Sequence, residues 1–304
     1  MTAAFHHIPV LLDSVIGALS EAGGSRFLDG TLGGAGHASA LLRATGPDSI
    51  LIGIDRDPSA RAAAALRLAE FGDRVFIRAG RYADMSTLAA DHAPFDGILL
   101  DIGVSSPQLD HPERGFSLRS DGPLDMRMDP TTGESAAELL DQLDEDALTT
   151  ILRDYGEEPR AKRIARAILA GRPWQGTLAL ADAVAKASGY RNSRTHPATR
   201  TFQALRIAVN DELRQLERGL DAAIALLAPR GRLAVISFHS LEDRLVKQRF
   251  RTLAAVGTPR DEYGHPRIPA QVRLITRKPI RGAKQEPHNP RSRSASLRIV
   301  ERLG

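Results

Sequence analysis

Residues 27–37 read Phe-Leu-Asp-Gly-Thr-Leu-Gly-Gly-Ala-Gly-His, and residues 50–55 read Ile-Leu-Ile-Gly-Ile-Asp. An apolar strand that runs into a glycine-rich turn, with a second strand that ends in a carboxylate about 20 residues later, is the arrangement that holds a nucleoside on an α/β sheet. Glycines let the backbone approach a ligand closely, and the amides that open the next helix can bind a carboxylate or a phosphate. The two segments together predict an adenosine-based ligand.

The spacing within the loop favours S-adenosylmethionine over a dinucleotide. The dinucleotide fingerprint is G-x-G-x-x-G, whereas residues 29–36 read D-x-T-x-G-x-A-G. S-adenosylmethionine carries an amino acid tail where a dinucleotide has a pyrophosphate, so an acidic side chain at the turn can face its ammonium. Asp55 would accept hydrogen bonds from both ribose hydroxyls. The alternative is that the glycines only tighten the connection and that Asp55 caps a turn.

Composition narrows the class of protein. The 304 residues leave room for one large domain or two ordinary ones, and the chain has no cysteine, which excludes disulfides, thiolate nucleophiles and cysteine zinc sites. The N-terminus lacks the pattern of a secretion signal, and no apolar run approaches the roughly 18 residues of a membrane span. We therefore expect a cytoplasmic protein without a membrane partner.

Acidic and basic residues are concentrated in different segments of the chain, although the net charge is only +4. Residues 108–158 contain 14 acidic and 4 basic side chains, whereas residues 159–206 contain 10 basic and 1 acidic. Residues 273–302 contain another 9 basic and 2 acidic. The two basic segments can form a surface for a phosphate backbone. The alternative is that the arginines only solvate helix faces.

Seven apolar segments alternate with helical patterns, which predicts an α/β fold around a parallel sheet. About 130 residues separate the fourth segment from the fifth, where a crossover needs only a few tens. We therefore predict a discontinuous domain of residues 1–108 and 213–304, with an inserted helical domain of residues 109–212. The seven segments are residues 27–29, 51–55, 75–79, 97–101, 233–238, 273–276 and 297–301.

Start and stop signals locate the helices. The first domain is predicted to have helices at residues 37–45, 58–71 and 82–92. The insert should open with a non-helical loop at residues 106–133, rich in proline and glycine, and continue with a capping box at Ser135 and helices at residues 159–170 and 177–188. The helical pattern of residues 196–227 fits either one long helix or two helices separated near Asn210.

Methyl transfer from a sulfonium is an in-line displacement, so the protein mainly aligns donor and acceptor in a site without water. If the acceptor is an exocyclic amine, the site should also accept hydrogen bonds from its N–H groups. Such acceptors belong at the carboxyl ends of the middle strands, here residues 101–110 and 237–243. Asp101 can alternatively cap a helix, and His239 can be structural.

No catalytic transition metal is predicted, because the histidines lack the spacing of two histidines with a carboxylate. A bound magnesium ion is left open. The histidines considered are His6, His7, His196, His265 and His288.

Nine segments together carry a family resemblance: residues 7–12, 29–37, 55–58, 101–110, 114–117, 122–128, 196–203, 237–244 and 289–294. Through them essentially the whole chain resembles the bacterial MraW family, the 16S ribosomal RNA cytosine-N4 methyltransferases. The resemblance implies the seven-stranded, Rossmann-like sheet of a class I S-adenosylmethionine methyltransferase with an inserted all-helical domain for substrate recognition. It implies S-adenosyl-L-methionine as cofactor and a decoding-centre cytidine of 16S ribosomal RNA, within the small ribosomal subunit, as substrate; no DNA partner is expected.

The resemblance also implies site residues. Relatives usually have glycine in place of Ala35 and phenylalanine in place of Tyr82. The expected cofactor contacts are Gly33, Ala35, Gly36, His37, Asp55, Tyr82, Asp101 and Gln108. The candidate catalytic residues are Asp101, Ser105, Ser106 and His239.

Two other functions are compatible with parts of the pattern. A nicotinamide oxidoreductase would share the sheet and the glycine loop, and NAD would then stabilise the protein where S-adenosylmethionine would not. A catalytically silent RNA-binding assembly factor would keep the basic segments, and replacement of Asp55 by alanine would leave its RNA binding intact.

Overall fold

The computed structural model describes residues 9–190, 195–259, 262–263 and 267–304. His6, His7 and His265, together with residues 191–194 of the arginine-rich segment, lie outside these ranges. The chain forms two compact units. The first runs to Gly103 and resumes at Arg214, and the second spans Val104–Leu213.

The first unit is built on an eight-stranded sheet. Its strands are β1 Arg26–Asp29, β2 Ile50–Asp55, β3 Val75–Ala79, β4 Phe95–Asp101, β5 Leu227–Ser237, β6 Val272–Leu274, β7 Ile280–Arg281 and β8 Ser296–Arg302. Their order is β3-β2-β1-β4-β5-β8-β6, with β7 also paired to β8. Strands β1 to β5 are parallel, and β8 is antiparallel to β5, β6 and β7. All seven predicted strands are present, and β7 was not predicted.

Helices follow the strands along the chain. They are α1 Leu12–Ser20, α2 Gly36–Ala44, α3 Pro58–Leu68, α4 Met85–Leu88, α5 Ser106–Asp110, α6 Ala136–Gln142, α7 Glu145–Asp154, α8 Ala161–Ala170, α9 Thr177–Ser188, α10 Thr199–Asn210, α11 Glu212–Leu226, α12 Ser240–Leu253 and α13 Gly282–Gln285. Within the described ranges, no helix combines the length and apolar character that crossing a membrane requires.

The sheet is apolar on both faces because helices cover each of them. Successive strand residues point to opposite faces, and they enter two different clusters. Phe27 and Leu51 pack with residues of α1, α2 and α3, whereas Leu28 and Ile52 pack with residues of α4, α11 and α12. This double burial explains why the central strands read as continuous apolar runs.

The second unit contains α5 to α10, and helices α6 to α10 contribute to its own apolar core. The prediction that residues 106–133 lack helix is wrong for α5. There the Ser105 amide donates to Gln108 Oε1 at 2.9 Å, and Pro107 occupies a helix position where its missing N–H costs nothing. The prediction that α6 starts with a capping box at Ser135 is confirmed, since the Ser135 amide donates to Glu138 Oε2 at 2.7 Å.

Of two further helical predictions, one is wrong and one is confirmed. Residues 82–92 form only the single α turn of α4 between two short 3₁₀ turns. Residues 196–227 contain two helices, α10 and α11, rather than one long helix. The alternative of two helices separated near Asn210 is confirmed. Asp211 separates them with φ 52° and ψ 39°, a left-handed conformation that no α-helix continues through.

Candidate functional site

The glycine loop after β1 is tied to both neighbouring strands. The Asp101 amide at the end of β4 donates to Thr31 Oγ1 at 2.6 Å. The Gly33 amide donates to Asp55 Oδ2 at the end of β2 at 2.7 Å, and the Leu32 amide donates to the Ile54 carbonyl at 3.0 Å. Hydrogen bonds on both sides therefore hold the loop in shape without any ligand.

Ala35 and Gly36 open helix α2 from this loop. Ala35 has φ 58° and ψ 31°, the left-handed region that glycine enters at less cost than alanine. A Cβ on Gly36 would lie 2.4 Å from Cγ of Pro9, so position 36 accepts no side chain. The chain must thus approach Pro9 closely to start α2, which gives the glycine a packing reason in addition to the predicted cofactor contact.

Asp55 is placed to bind a diol. Its Oδ2 accepts the Gly33 amide, and its Oδ1 accepts the Asp57 amide at 2.8 Å. Burial raises the pKa of Asp55, and the two amides oppose that rise. Each carboxylate oxygen can accept a second hydrogen bond, so one hydroxyl can bind at each oxygen.

Two further carboxyl groups, Asp29 and Asp101, lie beside the loop. Asp29 is 3 % exposed, and burial raises its pKa from 3.8 to about 7. Burial, and then the charges of Asp29 and Glu242, raise the pKa of Asp101 well above its usual range. Among the described residues, no lysine or arginine pairs with Asp29 or Asp101, and Asp101 Oδ1 is buried without a hydrogen-bond partner.

Such an arrangement favours a positively charged ligand, because buried carboxylates without a counter-ion are costly. S-adenosylmethionine carries both a sulfonium and an ammonium. The unpartnered Asp101 Oδ1 and the two open acceptor positions of Asp55 are therefore features that fit this cofactor. A dinucleotide, with its anionic pyrophosphate, would meet the same carboxylates with the wrong sign of charge.

His37 lies in the first turn of α2 and faces the same carboxyl group. Its Nε2 is 3.0 Å from the Val10 carbonyl oxygen, so Nε2 carries a proton. Its Nδ1 is 3.7 Å from Asp101 Oδ2. His37 Nδ1 therefore faces the Asp101 carboxyl group at a distance longer than a hydrogen bond.

Tyr82 lies next to the glycine loop. A Cβ on Gly30 would lie 3.0 Å from Tyr82 Cβ, and a Cβ on Gly219 of α11 would lie 2.4 Å from Cδ2 of the ring. The ring thus packs against the bare backbone of α11 at the loop. Its position suits the predicted contact with adenine, which stays a prediction.

His239 caps helix α12. The Glu242 amide lies 3.5 Å from His239 Nδ1, and Glu242 Oε2 accepts the amides of Phe238 at 2.8 Å and His239 at 3.2 Å. His239 Nε2 is 3.0 Å from Glu242 Oε1. The contacts of His239 within the first unit are therefore those of a helix cap, and its catalytic role stays a prediction.

The remaining predicted site residues, Ser105, Ser106 and Gln108, begin α5 in the second unit. Ser106 and Gln108 are buried, and the Gln108 side chain accepts the Ser105 amide as described above. Their predicted roles at the reacting end of the cofactor stay predictions.

Two residues with a clear place in this geometry were missed, Thr31 and Glu242. Thr31 donates its amide to Asp29 Oδ1 at 3.0 Å, which is an Asx turn, and receives the Asp101 amide. The D-x-T spacing signals the turn, but no local signal reveals a bond to residue 101. Glu242 follows His239 at capping-box spacing, a signal that was available.

Known proteins of one family match this chain over essentially its full length. A family model described as the MraW methylase family matches residues 4–303. "Ribosomal RNA small subunit methyltransferase H" of Trichlorobacter lovleyi is 50 % identical over 310 residues, covering 99 % of each chain. The protein of the same name from Geobacter sulfurreducens is 49 % identical over 313 residues, covering 98 % of this chain and 99 % of the relative.

Similarity to solved structures is lower than similarity to these relatives. An rRNA methylase from Streptococcus thermophilus superposes with a TM-score of 0.44 at 10 % identity, covering 99 % of this chain and 100 % of that one. The family match confirms the predicted family and S-adenosyl-L-methionine as cofactor. The α/β fold class, with a methyltransferase sheet and helical regions, is also confirmed.

Proposed function

Because the chain belongs to the MraW methylase family, we propose that it methylates the N4 amino group of a decoding-centre cytidine in 16S ribosomal RNA. The proposed substrate rests on one observation. The chain is about 50 % identical, over its full length, to relatives named as small-subunit ribosomal RNA methyltransferases. The working partner is the small ribosomal subunit in the cytoplasm, with no role for DNA or a membrane.

The cofactor occupies the carboxyl ends of β1, β2 and β4. Asp55 binds the ribose hydroxyls, Tyr82 covers the adenine, and the loop from Gly33 to His37 encloses the nucleoside. Asp29 and Asp101 face the positively charged end. When bound, S-adenosylmethionine supplies an electrophilic methyl group; the residues named here hold that group in place and keep water out.

Asp101 also serves the acceptor. An exocyclic amine on cytosine donates N–H groups, and a carboxylate that accepts one of them increases electron density on the nitrogen. On gaining the methyl group, the amine would have to release one proton. In its carboxylate form Asp101 would accept that proton, and burial, which raises its pKa, makes it a stronger base than an exposed aspartate. Ser105, Ser106 and His239 are further groups for gripping the amine.

The predicted domain boundaries belong to this proposal. Residues 1–108 and 213–304 form the methyltransferase domain, and residues 109–212 form the substrate-recognition domain, in which the arginines after residue 159 hold ribosomal RNA. The compact second unit and its separate apolar core support an independent recognition domain.

The decisive experiment is mass spectrometry of ribosomal nucleosides from cells lacking the protein. N4-methylcytidine in 16S ribosomal RNA should disappear, and wild-type protein should restore it. The Asp101→Asn variant should restore little, whereas Asp48→Asn, which changes an exposed aspartate, should restore it fully. An unchanged level of the modified nucleoside in the deletion strain contradicts the proposal. Full restoration by an Asp55→Ala variant would instead favour the silent assembly factor.

A further inference from the structure

A cleft of about 480 Å³ opens in the first unit beside the start of α12. It is lined by side chains from α12, from β7 and from the approach to β8. The volume lies within the range of sites that hold small organic groups. None of the predicted cofactor contacts lines this cleft. The candidate catalytic residue His239 does.

The lining is positively charged. Arg244, Lys247 and Arg281 contribute three cations, and Asp243 contributes the single carboxylate. Arg298 already binds that carboxylate with two hydrogen bonds, from Nε to Oδ1 at 2.8 Å and from Nη2 to Oδ2 at 3.0 Å. Arg281 Nη2 also lies 3.9 Å from Asp243 Oδ2. Counted over the lining alone, basic side chains outnumber carboxylates by three to one.

The cations are arranged around hydroxyl groups. Ser240, Arg244 and Lys247 follow one another at i, i+4 and i+7 and share one face of α12. From the opposite side, Arg281 donates Nη1–H to Ser296 Oγ. In the described part of the chain, no ion pair is recorded for Lys247. The Glu242 amide in the first turn of α12 is already used by the His239 cap.

We propose that this cleft binds a phosphodiester group of the RNA substrate. Arginine and lysine beside hydroxyl donors match the charge and the acceptor oxygens of a phosphate. The cleft includes His239, which lies two residues after the carboxyl end of β5. Ligands of α/β sheets bind at this edge, so the phosphate is assigned to the RNA strand that delivers the target nucleotide. This inference rests on the proposed function, because it assigns a contact to the same RNA.

Binding measurements as a function of salt test the assignment. The ligand is small subunits from a strain lacking the protein, and the variants are Lys247→Gln, Arg281→Gln and both together. Each lost phosphate contact should reduce the slope of log affinity against log salt by about 1, and the double variant should bind about 10-fold more weakly at 0.15 M salt. Lys247→Arg should keep wild-type affinity.

The control is Lys284→Gln, which removes a cation from the same basic segment outside the cleft. S-adenosylhomocysteine affinity, measured in parallel, reports whether each variant has folded. An RNA oligonucleotide with neutral methylphosphonate linkages should bind wild-type and double variant alike. If the double variant loses no more affinity or salt slope than Lys284→Gln, the inference is overturned. If wild-type protein does not methylate these subunits at all, the proposed function fails instead, and the two failures are distinguishable.

Discussion

Asp55 accepts one backbone amide at each carboxylate oxygen, and this pairing gives it a structural role before any ligand arrives. An asparagine at this position has only one acceptor and must turn its NH₂ group towards one of the two amides. Loss of the carboxylate therefore affects both the loop and the ribose. The residue that we propose binds the ribose is thus also the residue that fixes the loop to β2.

We predict that Asp55→Asn weakens S-adenosylhomocysteine binding about 10- to 100-fold, the effect of losing charge-assisted hydrogen bonds. Isothermal calorimetry measures the change, with Asp48→Asn as the matched control. The wild-type protein should also discriminate against a 2′-deoxyribose analogue of the cofactor, and the variant should discriminate less. Equal discrimination by both proteins would show that Asp55 does not hold the ribose.

Asp29 gives the protein a pH dependence of opposite sign to that of most aspartates. Burial raises its pKa from 3.8 to about 7, so the folded protein binds a proton that the unfolded chain releases. The stability that this bound proton contributes is complete below pH 3.8, the pKa of Asp29 in the unfolded chain. It is lost as pH rises through about 7, the pKa in the folded protein. The cofactor-free protein should therefore have a lower Tm at pH 8 than at pH 5.

We predict that Asp29→Asn reduces this decrease in Tm. Asparagine keeps an oxygen that can accept the Thr31 amide, now at 3.0 Å from Asp29 Oδ1, and it carries no charge to bury at high pH. Calorimetry without cofactor should show the variant with a higher Tm than wild type at pH 8 and a similar Tm at pH 5. Parallel pH profiles for the two proteins would contradict the assignment to Asp29.

At the scale of elements, two helical glycines differ in what surrounds them. A Cβ on Gly17 of α1 would meet nothing within 4 Å, whereas a Cβ on Gly219 of α11 would enter the ring of Tyr82. Gly17→Ala should stabilise the protein by about 0.5–1 kcal/mol, the helix preference of alanine over glycine. Gly219→Ala should destabilise it and displace the ring.

The pair separates propensity from packing, because both changes add one methyl group to a helix. Urea denaturation measures stability, and S-adenosylhomocysteine affinity reports the position of Tyr82. We expect Gly219→Ala to lower that affinity and Gly17→Ala to leave it unchanged. A Gly219→Ala variant that gains stability as Gly17→Ala does would show that the ring does not occupy this space.

The elements that the sequence predicts well are those with a strong local signal. Strands β1, β2, β4 and β5 are largely buried, so they read as apolar runs, whereas β7 has only two residues and no readable pattern. The break at Asp211 was left open because the apolar spacing of α10 and α11 continues across it. At the site, Asp55 was predictable from a strand end. The bond from Asp101 to Thr31 was not, because 70 positions separate the two residues.

For the whole molecule, ligand binding distinguishes the methyltransferase from a nicotinamide enzyme. A ligand that binds only the folded state at 100 times its Kd stabilises that state by about 2.7 kcal/mol. S-adenosylmethionine and S-adenosylhomocysteine should each raise Tm, and NAD at the same concentration should not. A rise in Tm with NAD alone would contradict the family assignment of the cofactor.

The position of β8 in the sheet determines when the sheet can be completed during synthesis. It lies between β5 and β6, and β6 and β7 have no other partner in the described sheet. Until residues 296–302 have left the ribosome, β6, β7 and β8 cannot pair, and one edge of β5 stays unpaired. Residues 104–213 are translated long before that point and have an apolar core of their own. During synthesis the insert can reach its native packing first, while the sheet of the first unit is completed in one late, cooperative step.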